Sequence, residues 1–456
     1  MGLADNSLTP ARDFYTVSKD NPMETEILAR IQFAFTLSYH IIFPTLTIGL
    51  ACYIAVMEGL WLRSKKPLYY QQVQFWLKPF AVTFGMGVVT GVVLSYEFGA
   101  NFSRFSEITG PVIGPLMAYE VMTAFFLEAG FLGIMLFGRN RVNEKVYFAA
   151  TATVAVGTLL SSFWIIAANS WMQTPAGTEW VDGHFQVISW WDTIFNPSFP
   201  YRLSHMVMAS FVTTGFVIAG VSAAVLLRKP QSGIARMGLK QAVVALMLLT
   251  PLQAVIGDLH GLNVKQHQPV KVAAMEGIWE NEVGAGFRIL AWPDQQARQN
   301  SWEITIPKLA SFILTHDFNG EVKGLNNVPA DEIPNVVVVF YSFRVMLGLG
   351  VLMMITAFVA GYQLFKGKLY DKPWLLKWLK VMIPSGFIAT LAGWYVAEVG
   401  RQPWVVYGLL RTSDVYTPVN AEQVMLSLSL FVVIYSALFA AYLYFIRKII
   451  LHSINN

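Results

Sequence analysis

Long apolar stretches separated by short polar segments run along almost the whole chain. A hydrocarbon layer about 30 Å thick is crossed by roughly 20 apolar residues in an α-helix. Nine stretches meet that length, at residues 28–60, 76–98, 113–137, 146–171, 202–227, 240–258, 336–365, 376–399 and 422–446. The pattern predicts an all-α integral membrane protein, a bundle of nine transmembrane helices.

The composition supports this fold class and excludes several others. The chain of 456 residues is 55% hydrophobic and only 13% charged, whereas a soluble domain carries about 25% charged residues. Its net charge of +4 comes without a basic arm or a dense run of Lys and Arg, so we expect no nucleic-acid partner. The single cysteine, Cys52, excludes an internal disulfide and an iron–sulfur ligand set.

Lysine and arginine predict the orientation, because they are concentrated in cytoplasmic loops. Residues 173–200 contain neither. The basic clusters follow alternate apolar stretches, at Arg63/Lys65/Lys66, Arg139/Arg141/Lys145, Arg228/Lys229/Arg236/Lys240, Lys366/Lys368/Lys372/Lys377 and Arg447/Lys448. We therefore expect the N-terminus outside and the C-terminus in the cytoplasm. The first residues lack the basic start and apolar core of a signal peptide, so we expect the first helix to be retained.

The same pattern divides the chain into four regions. Residues 1–27 form an N-terminal extension, 28–258 hold helices one to six, 259–335 form a long outer-side connection, and 336–456 hold helices seven to nine. Connections of this length are usually functional or disordered. This one contains apolar and aromatic residues, Trp292 among them, so we expect it to fold against the membrane surface.

Several polar or ligating side chains fall inside the predicted helices, where they are costly and indicate function by default. They are His40, Glu120, Glu128, His205, Arg344, Met346, Glu398 and Arg401. Given the orientation above and a rise of about 1.5 Å per residue, they gather in the outer half of the membrane. Residues far apart in sequence are thus predicted to form one layer.

The chemistry of this layer suits haem. Haem iron takes axial histidine, and a His/Met pair is an electron-transfer arrangement of raised potential. A carboxylate ligand with an open position opposite it would suit a gas-reactive haem. The guanidinium groups of Arg344 and Arg401 could neutralise haem propionates.

Each of these residues also has a purely structural explanation, and the residues alone leave both open. The alternatives are hydrogen-bonded helix packing for His40, solvation at the interface for His205, gap filling for Met346, pairing with a neighbouring helix for Glu128, and a local i, i+3 ion pair for Glu398 and Arg401.

Four motifs carry a resemblance to a known family. They are ARIQFAFTLSYH (29–40), GPLMAYEVMTAFFLEAGF (114–131), FWIIAANSWMQTPAG (163–177) and GWYVAEVGRQPW (393–404). In this order they resemble subunit I of the cytochrome bd family, and the resemblance runs from about residue 25 to 450.

The resemblance implies a set of haem ligands. His205 and Met346 match the two axial ligands of a low-spin haem b. His40 and Glu398 match those of a high-spin haem b and a haem d, and which residue binds which haem stays open. Trp394, Glu398 and Arg401 follow at i, i+4 and i+7, which suits an aromatic ring, a ligand and a cation stacked against a porphyrin.

The resemblance also implies a proton route. Glu120 matches an acid beside the oxygen-reactive haems, and Glu128 matches a second acid on the route inward. Eight residues apart in a regular α-helix, the two lie about 80° apart around the axis and ~12 Å apart along it.

In the long connection, KVAAMEGIWE (271–280) resembles the family's quinol-site segment. Lys271 and Glu276 match residues implicated in quinol oxidation, which requires a proton acceptor; the alternative is a solvated loop. Arg30 could close this site or extend to the interface. The connection is of the short-loop type.

One stretch departs from the general pattern of the family. GDLHGLNVKQHQPVK (257–271) carries His260 and His267 and resembles the cyanide-insensitive branch. In that branch the third haem is either haem d or a further haem b.

The resemblance implies a terminal respiratory oxidase of the bacterial cytoplasmic membrane. It would oxidise quinol at the outer face and reduce O2 to water, building a proton gradient by charge separation without pumping. Its partners would be a second large membrane subunit and a small single-helix subunit.

Three alternatives compete with this interpretation. A haem b quinol dehydrogenase that passes electrons to a partner would leave Glu398 unexplained. A transporter or proton channel would more often show broken helices or repeats. A structural subunit would give no reason for the layer of ligands.

Overall fold

The computed structural model describes residues 22–417 and 419–455. For residues 22–24 and 452–455 it describes the main chain only. The predicted N-terminal extension therefore lies outside the described residues up to position 21. The helices are α1 (Pro22–Ser64), α2 (Pro67–Ala100), α3 (Ser103–Thr123), α4 (Gly130–Phe137), α5 (Glu144–Gln173), α6 (Trp190–Ile194), α7 (Phe199–Leu226), α8 (Gly233–His267), α9 (Pro269–Glu276), α10 (Leu309–Thr315), α11 (Val336–Phe365), α12 (Pro373–Val381), α13 (Ser385–Val399) and α14 (Ala421–Asn455). The strands are β1 (Thr178–Val181), β2 (His184–Val187), β3 (Glu282–Val283), β4 (Phe287–Asp294), β5 (Gln299–Ile306), β6 (Glu321–Val322), β7 (Trp404–Val406) and β8 (Leu410–Arg411).

Within the described residues, nine helical stretches are long and apolar enough to cross a bilayer, which confirms the predicted number and order. Most are single helices, but the third joins α3 to α4 and the eighth joins α12 to α13. Several extend beyond the apolar stretch that predicts them; α8, for example, continues to His267 rather than ending near 258. The side-chain oxygens of Asn143, Ser232 and Asn335 cap the starts of α5, α8 and α11.

The third span contains a π turn. Residues Ala124–Ala129 follow α3 with π-helical hydrogen bonding before α4 resumes the α-helix. Such single turns occur mostly inside α-helices and frequently at functional sites. Glu128 lies within it.

The helices pack around α7. In its most apolar stretch 83% of the residues are buried, compared with 11% in α14. The main core includes Leu50 of α1, Phe80 of α2, Phe216 of α7 and Leu246 of α8. α7 is thus the central helix of the bundle, while α14 lies at its edge and exposes apolar side chains.

The connection between the sixth and seventh spans is folded. Helix α9 packs on α8 and α11, and β4 and β5 form an antiparallel hairpin that also contacts α11. The buried guanidinium of Arg288 in β4 bonds to Glu282 at 2.5 Å and to Glu303 at 2.7 Å. This connection meets the bundle at the ends of α5, α8 and α13, where the predicted site lies.

Candidate functional site

Glu398, in the last turn of α13, is the centre of a cluster of donors. Asn169 and Gln173 of α5 donate to its Oε1 at 3.0 and 3.1 Å. Arg401 donates to its Oε2 at 2.6 Å, and the Nη2 of Arg202 in α7 lies 3.7 Å from Oε1. The carboxylate thus gathers side chains from α5, α7 and the segment after α13.

Lys271 of α9 reaches the same cluster. Its side chain is only 2% exposed, and its Nζ donates to Gln173 and Gln268, each at 2.6 Å. Gly400 makes room for it, since an added Cβ there would lie 2.8 Å from the Lys271 Cγ. Burial, with the nearby charge of Arg202, lowers the pKa of Lys271 well below its usual value. One glutamine, Gln173, therefore connects Lys271 to Glu398.

Glu276, at the end of α9, pairs with Arg344 of α11. Arg344 Nη2 donates to Glu276 at 2.8 Å, while its Nε and Nη1 donate to the main-chain oxygens of Arg288 and Met275. The rings of Phe287 and Phe340 lie 4.4 Å from its guanidinium. Burial raises the pKa of Glu276, and Arg344 opposes that shift. The guanidinium is thus engaged with the α9 carboxylate, whereas its predicted contact with a haem propionate stays a prediction.

His205 of α7 and Met346 of α11 each face a glycine on the neighbouring helix. A Cβ added to Gly257 would lie 3.4 Å from the His205 Cε1. A Cβ added to Gly393 would lie 2.9 Å from the Met346 Sδ. The Nδ1 of His205 is buried without a partner among the described residues. Both side chains thus lie where the neighbouring helix has no side chain of its own, and their role as iron ligands stays a prediction.

His40 of α1 is held by α2. Its Nδ1 hydrogen-bonds the Thr90 hydroxyl at 2.8 Å, and a Cβ on Gly91 would lie 3.2 Å from its Cε1. A ligating histidine usually bonds through its second ring nitrogen in this way. Nε2 is therefore the nitrogen that His40 can offer to an iron.

Glu120 and Glu128 both contact the same face of α5. The Ser161 hydroxyl donates to Glu120 at 2.8 Å, and a Cβ on Gly157 would lie 2.8 Å from the Glu128 Cγ. Because Gly157 and Ser161 are four residues apart, they share a helix face. The predicted separation of about 80° assumed a regular α-helix, and the π turn replaces that geometry and directs both carboxylates to α5.

Trp394 and Arg401 complete the predicted set. Trp394 packs among apolar residues that include Phe163, Phe199 and Met206. Arg401 keeps its Nε and Nη1 buried without partners among the described residues. Buried guanidinium nitrogens of this kind fit haem propionates, and together with the histidine, methionine and carboxylate donors they fit the group that the sequence predicts.

The sequence analysis missed several members of the site. Asn169 and Gln173 lie inside the motif at 163–177 quoted above, while Arg202 precedes His205 and Gln268 precedes Lys271, each by three residues. The i, i+4 spacing of Asn169 and Gln173 on an apolar helix is a signal that could have found two of them. Arg30 donates to Glu26 at 3.3 Å and to Gln402 at 3.2 Å, and its predicted place at the quinol site stays a prediction.

Two buried carboxylates inside the spans were also missed. Glu97 of α2 accepts from Thr36 at 2.6 Å. Glu58 of α1 accepts from Arg139 at 2.5 Å. Thr36 belongs to α1, and Arg139 lies in the turn between α4 and α5, so each carboxylate pairs with a residue outside its own helix.

Comparison with known proteins adds independent findings. The family model described as cytochrome bd terminal oxidase subunit I matches residues 28–454. The chain is 35% identical to cytochrome bd ubiquinol oxidase subunit 1 of Bacillus subtilis, over 94% of each chain. It is 32% identical to cytochrome bd-II ubiquinol oxidase subunit 1 of Escherichia coli, over 92% of this chain and 95% of that one.

A solved structure is similar as well. The structure of bd oxidase from Geobacillus thermodenitrificans superposes with a TM-score of 0.88 at 30% sequence identity. The match covers 94% of this chain and 99% of that one.

Proposed function

This chain belongs to the family of cytochrome bd terminal oxidase subunit I, and from that premise we propose that it is the haem-bearing subunit of a quinol:O2 oxidoreductase. Its relatives are named as ubiquinol oxidase subunits. The proposed reaction oxidises quinol and reduces O2 to water. Two quinols give up four electrons and four protons, which balances the reduction of one O2 to two water molecules.

We propose that four side chains ligate haem iron. His205 and Met346 would hold a low-spin haem b, and His40 and Glu398 would hold a high-spin haem b and a third haem, haem d or a further haem b. When bound, the haems supply one-electron storage and the reduction of O2. The glycines beside the His205 and Met346 side chains and the hydrogen bond between the His40 Nδ1 and the Thr90 hydroxyl, which leaves Nε2 for the iron, support these assignments.

The observation that carries the proposal is the bonded chain Lys271–Gln173–Glu398. It joins a segment predicted to bind quinol to a carboxylate predicted to bind iron. In this proposal Glu276 accepts a quinol proton, Arg344 fixes its position, and Lys271 with Gln268 orients a ring oxygen. A positioned acceptor within hydrogen-bond reach is what proton removal requires.

We propose further that protons are released on one side of the membrane and taken up from the other, which separates charge across it. Quinol protons would leave on the outer side, at the connection between the sixth and seventh spans. Protons for water would come from the cytoplasm past Glu128 and Glu120, which Ser161 and Gly157 hold on one face. A gradient would then form without pumping, with the N-terminus outside and the C-terminus inside a bacterial cytoplasmic membrane.

The subunit names imply a multi-subunit complex, and we propose a second large membrane subunit and a small single-helix subunit as partners. The weakly buried α14 supplies apolar surface that either lipid or a partner could cover.

The proposal is tested by a reduced-minus-oxidised spectrum of the purified complex together with pyridine haemochrome analysis. We expect haem b signals and quinol-driven O2 uptake, with a red-end chlorin band if the third haem is haem d. His205→Ala should remove the low-spin signal selectively. A complex without haem, or a low-spin signal that survives His205→Ala, would contradict the proposal or the ligand assignment respectively.

A further inference from the structure

Helix α8 presents one face to the His205 ring. Gly257 lies beside the ring, since a Cβ there would be 3.4 Å from the ring Cε1 and 3.8 Å from Nδ1, while no other ring atom comes within 4 Å. Gln253 precedes Gly257 by four residues and His260 follows it by three, so all three share a face. The Cε1–Nδ1 edge of His205 therefore faces Gly257 of α8, and Nε2 lies farther from that position.

Gln253 is anchored beside this edge. Its Nε2 donates to the main-chain oxygen of His205 at 3.3 Å. Its Oε1 is buried and has no partner among the described residues. A buried amide oxygen left unbonded costs about 1–3 kcal/mol, so an acceptor is held ready next to His205 with its orientation already fixed.

His260 also packs against the His205 ring. The two imidazole centroids are 5.3 Å apart and their planes meet at 62°. The His260 Nε2 is buried and, within the described chain, unpartnered. The His205 Nδ1 shares that condition, so two neighbouring residues each offer a buried polar atom without a partner near an imidazole nitrogen that also lacks one.

We propose that Gln253 and His260 are positioning residues for His205, which receive its Nδ1–H through one bridging water and so fix its ring plane and basicity. This inference rests on the proposed role of His205 as an axial ligand. A ligating histidine almost always donates its second N–H to an acceptor, and that acceptor tunes the ligand. A water bridge is nearly as favourable as a direct hydrogen bond.

The acceptors that α8 offers are neutral, an amide oxygen and an imidazole nitrogen. A carboxylate would draw the Nδ1 proton more strongly and make Nε2 more basic, which favours ferric iron. Neutral acceptors leave Nε2 less basic and favour ferrous iron. The α8 face therefore sets a raised reduction potential for the His205 haem, as an electron acceptor from quinol requires.

The test is an optical redox titration of the low-spin haem in the purified complex. Gln253→Glu should shift its reduction equilibrium about tenfold toward the oxidised form, which is 59 mV for a one-electron couple. His260→Leu, which removes an acceptor, should shift it the opposite way. The low-spin ferric EPR signal should change in both variants, and the high-spin haems should titrate as in the wild type.

Val255→Leu is the matched control, because Val255 lies on the same turn of α8 with 56% of its surface exposed. If Gln253→Glu does not assemble, Gln253→Leu takes its place and should raise the potential. Wild-type midpoints in both the Gln253 and His260 variants would overturn the inference while leaving His205 ligation intact. Survival of the low-spin signal in His205→Ala would instead overturn the ligand assignment.

Discussion

Arg344 donates to the carboxylate of Glu276 across 2.8 Å, and the two side chains are 9% and 3% exposed. The contact ties α9, in the connection between two spans, to the membrane helix α11. Glu276 belongs to the connection and Arg344 to the bundle. The ion pair between them therefore helps to hold the connection in place on the bundle. Breaking such a pair leaves an uncompensated buried charge.

Replacing Arg344 by Leu should therefore change the pH dependence of quinol oxidation. Burial raises the pKa of Glu276 and Arg344 opposes that rise, so without Arg344 the pKa increases further. Because a proton acceptor must be deprotonated, the acidic limb of kcat/KM against pH should move to higher pH. We expect a loss of roughly 10²-fold at neutral pH.

The control for this prediction is Arg411→Leu. Arg411 pairs with Asp331 at 3.0 Å on the surface, where ion pairs contribute little. An unchanged pH profile in Arg344→Leu would mean that Glu276 is not the acceptor.

Lys271→Met should weaken quinol binding while leaving the haem content unchanged. The substitution keeps the apolar length but removes the donor to Gln173 and Gln268, so both amide oxygens lose a bond. We expect KM for quinol to rise about tenfold, as for the loss of 1.4 kcal/mol. Lys265→Met, which removes a single bond to the Leu314 carbonyl, is the matched control, and an equal effect there would count against a specific role.

The lowered pKa of Lys271 also leads to a prediction of how the stability of the protein depends on pH. Because burial lowers the pKa of Lys271, the unfolded chain binds more protons than the folded one between the lowered and the usual pKa. Stability from this group therefore rises with pH across that window. Thermal inactivation of the wild type should occur at a temperature that rises with pH up to the usual lysine pKa, and Lys271→Met should reduce that rise.

Gly157→Ala should impair O2 reduction without affecting the low-spin haem. The added methyl would lie 2.8 Å from the Glu128 Cγ and displace the carboxylate; overpacking of this kind costs about 1–3 kcal/mol. Stopped-flow oxidation by O2 should slow about tenfold. Gly114→Ala, on α3 with open space around it, should react like the wild type; a normal rate in Gly157→Ala would remove Glu128 from the proton route.

Gly393→Ala should perturb the low-spin haem. Its methyl would lie 2.9 Å from the Met346 Sδ, so the thioether must move away from its present position. We expect an altered low-spin absorption band and a lowered potential, measured by redox titration. Gly350→Ala on α11, where a methyl meets nothing within 4 Å, should leave both unchanged. An unaffected low-spin haem in Gly393→Ala would argue against Met346 as a ligand.

Hydropathy was sufficient to predict the nine spans, because each long apolar stretch has only one stable environment. Glu398 and Arg401 were also found from sequence, since charged residues in an apolar helix are rare. Their partners were not. Asn169, Gln173 and Arg202 are far from Glu398 in sequence, and only the packing of α5 and α7 against α13 brings them within bonding distance.

Local irregularity of the backbone was the other feature that the sequence could not predict. Nothing in AFFLEA (124–129) distinguishes a π turn from an α-helical turn by apolar period or by caps. The separation of Glu120 and Glu128 was therefore derived from regular geometry, and the structure replaces it with a common contact on α5. The role of Arg344 was likewise undetermined, because its partner Glu276 lies in a polar connection whose docking no periodicity predicts.

The π turn also determines the register of the helix that follows it. When a helix accommodates one extra residue in a π turn, the residues before the turn keep their positions. The residues after it are rotated about the helix axis by about 100°, the angle of a single α-helical residue. Glu128 lies within the turn and α4 follows it. Deleting one residue from 124–129 would restore a regular helix and turn Glu128 away from Gly157. The single extra residue of the π turn thus decides whether the third span presents one carboxylate to α5 or two.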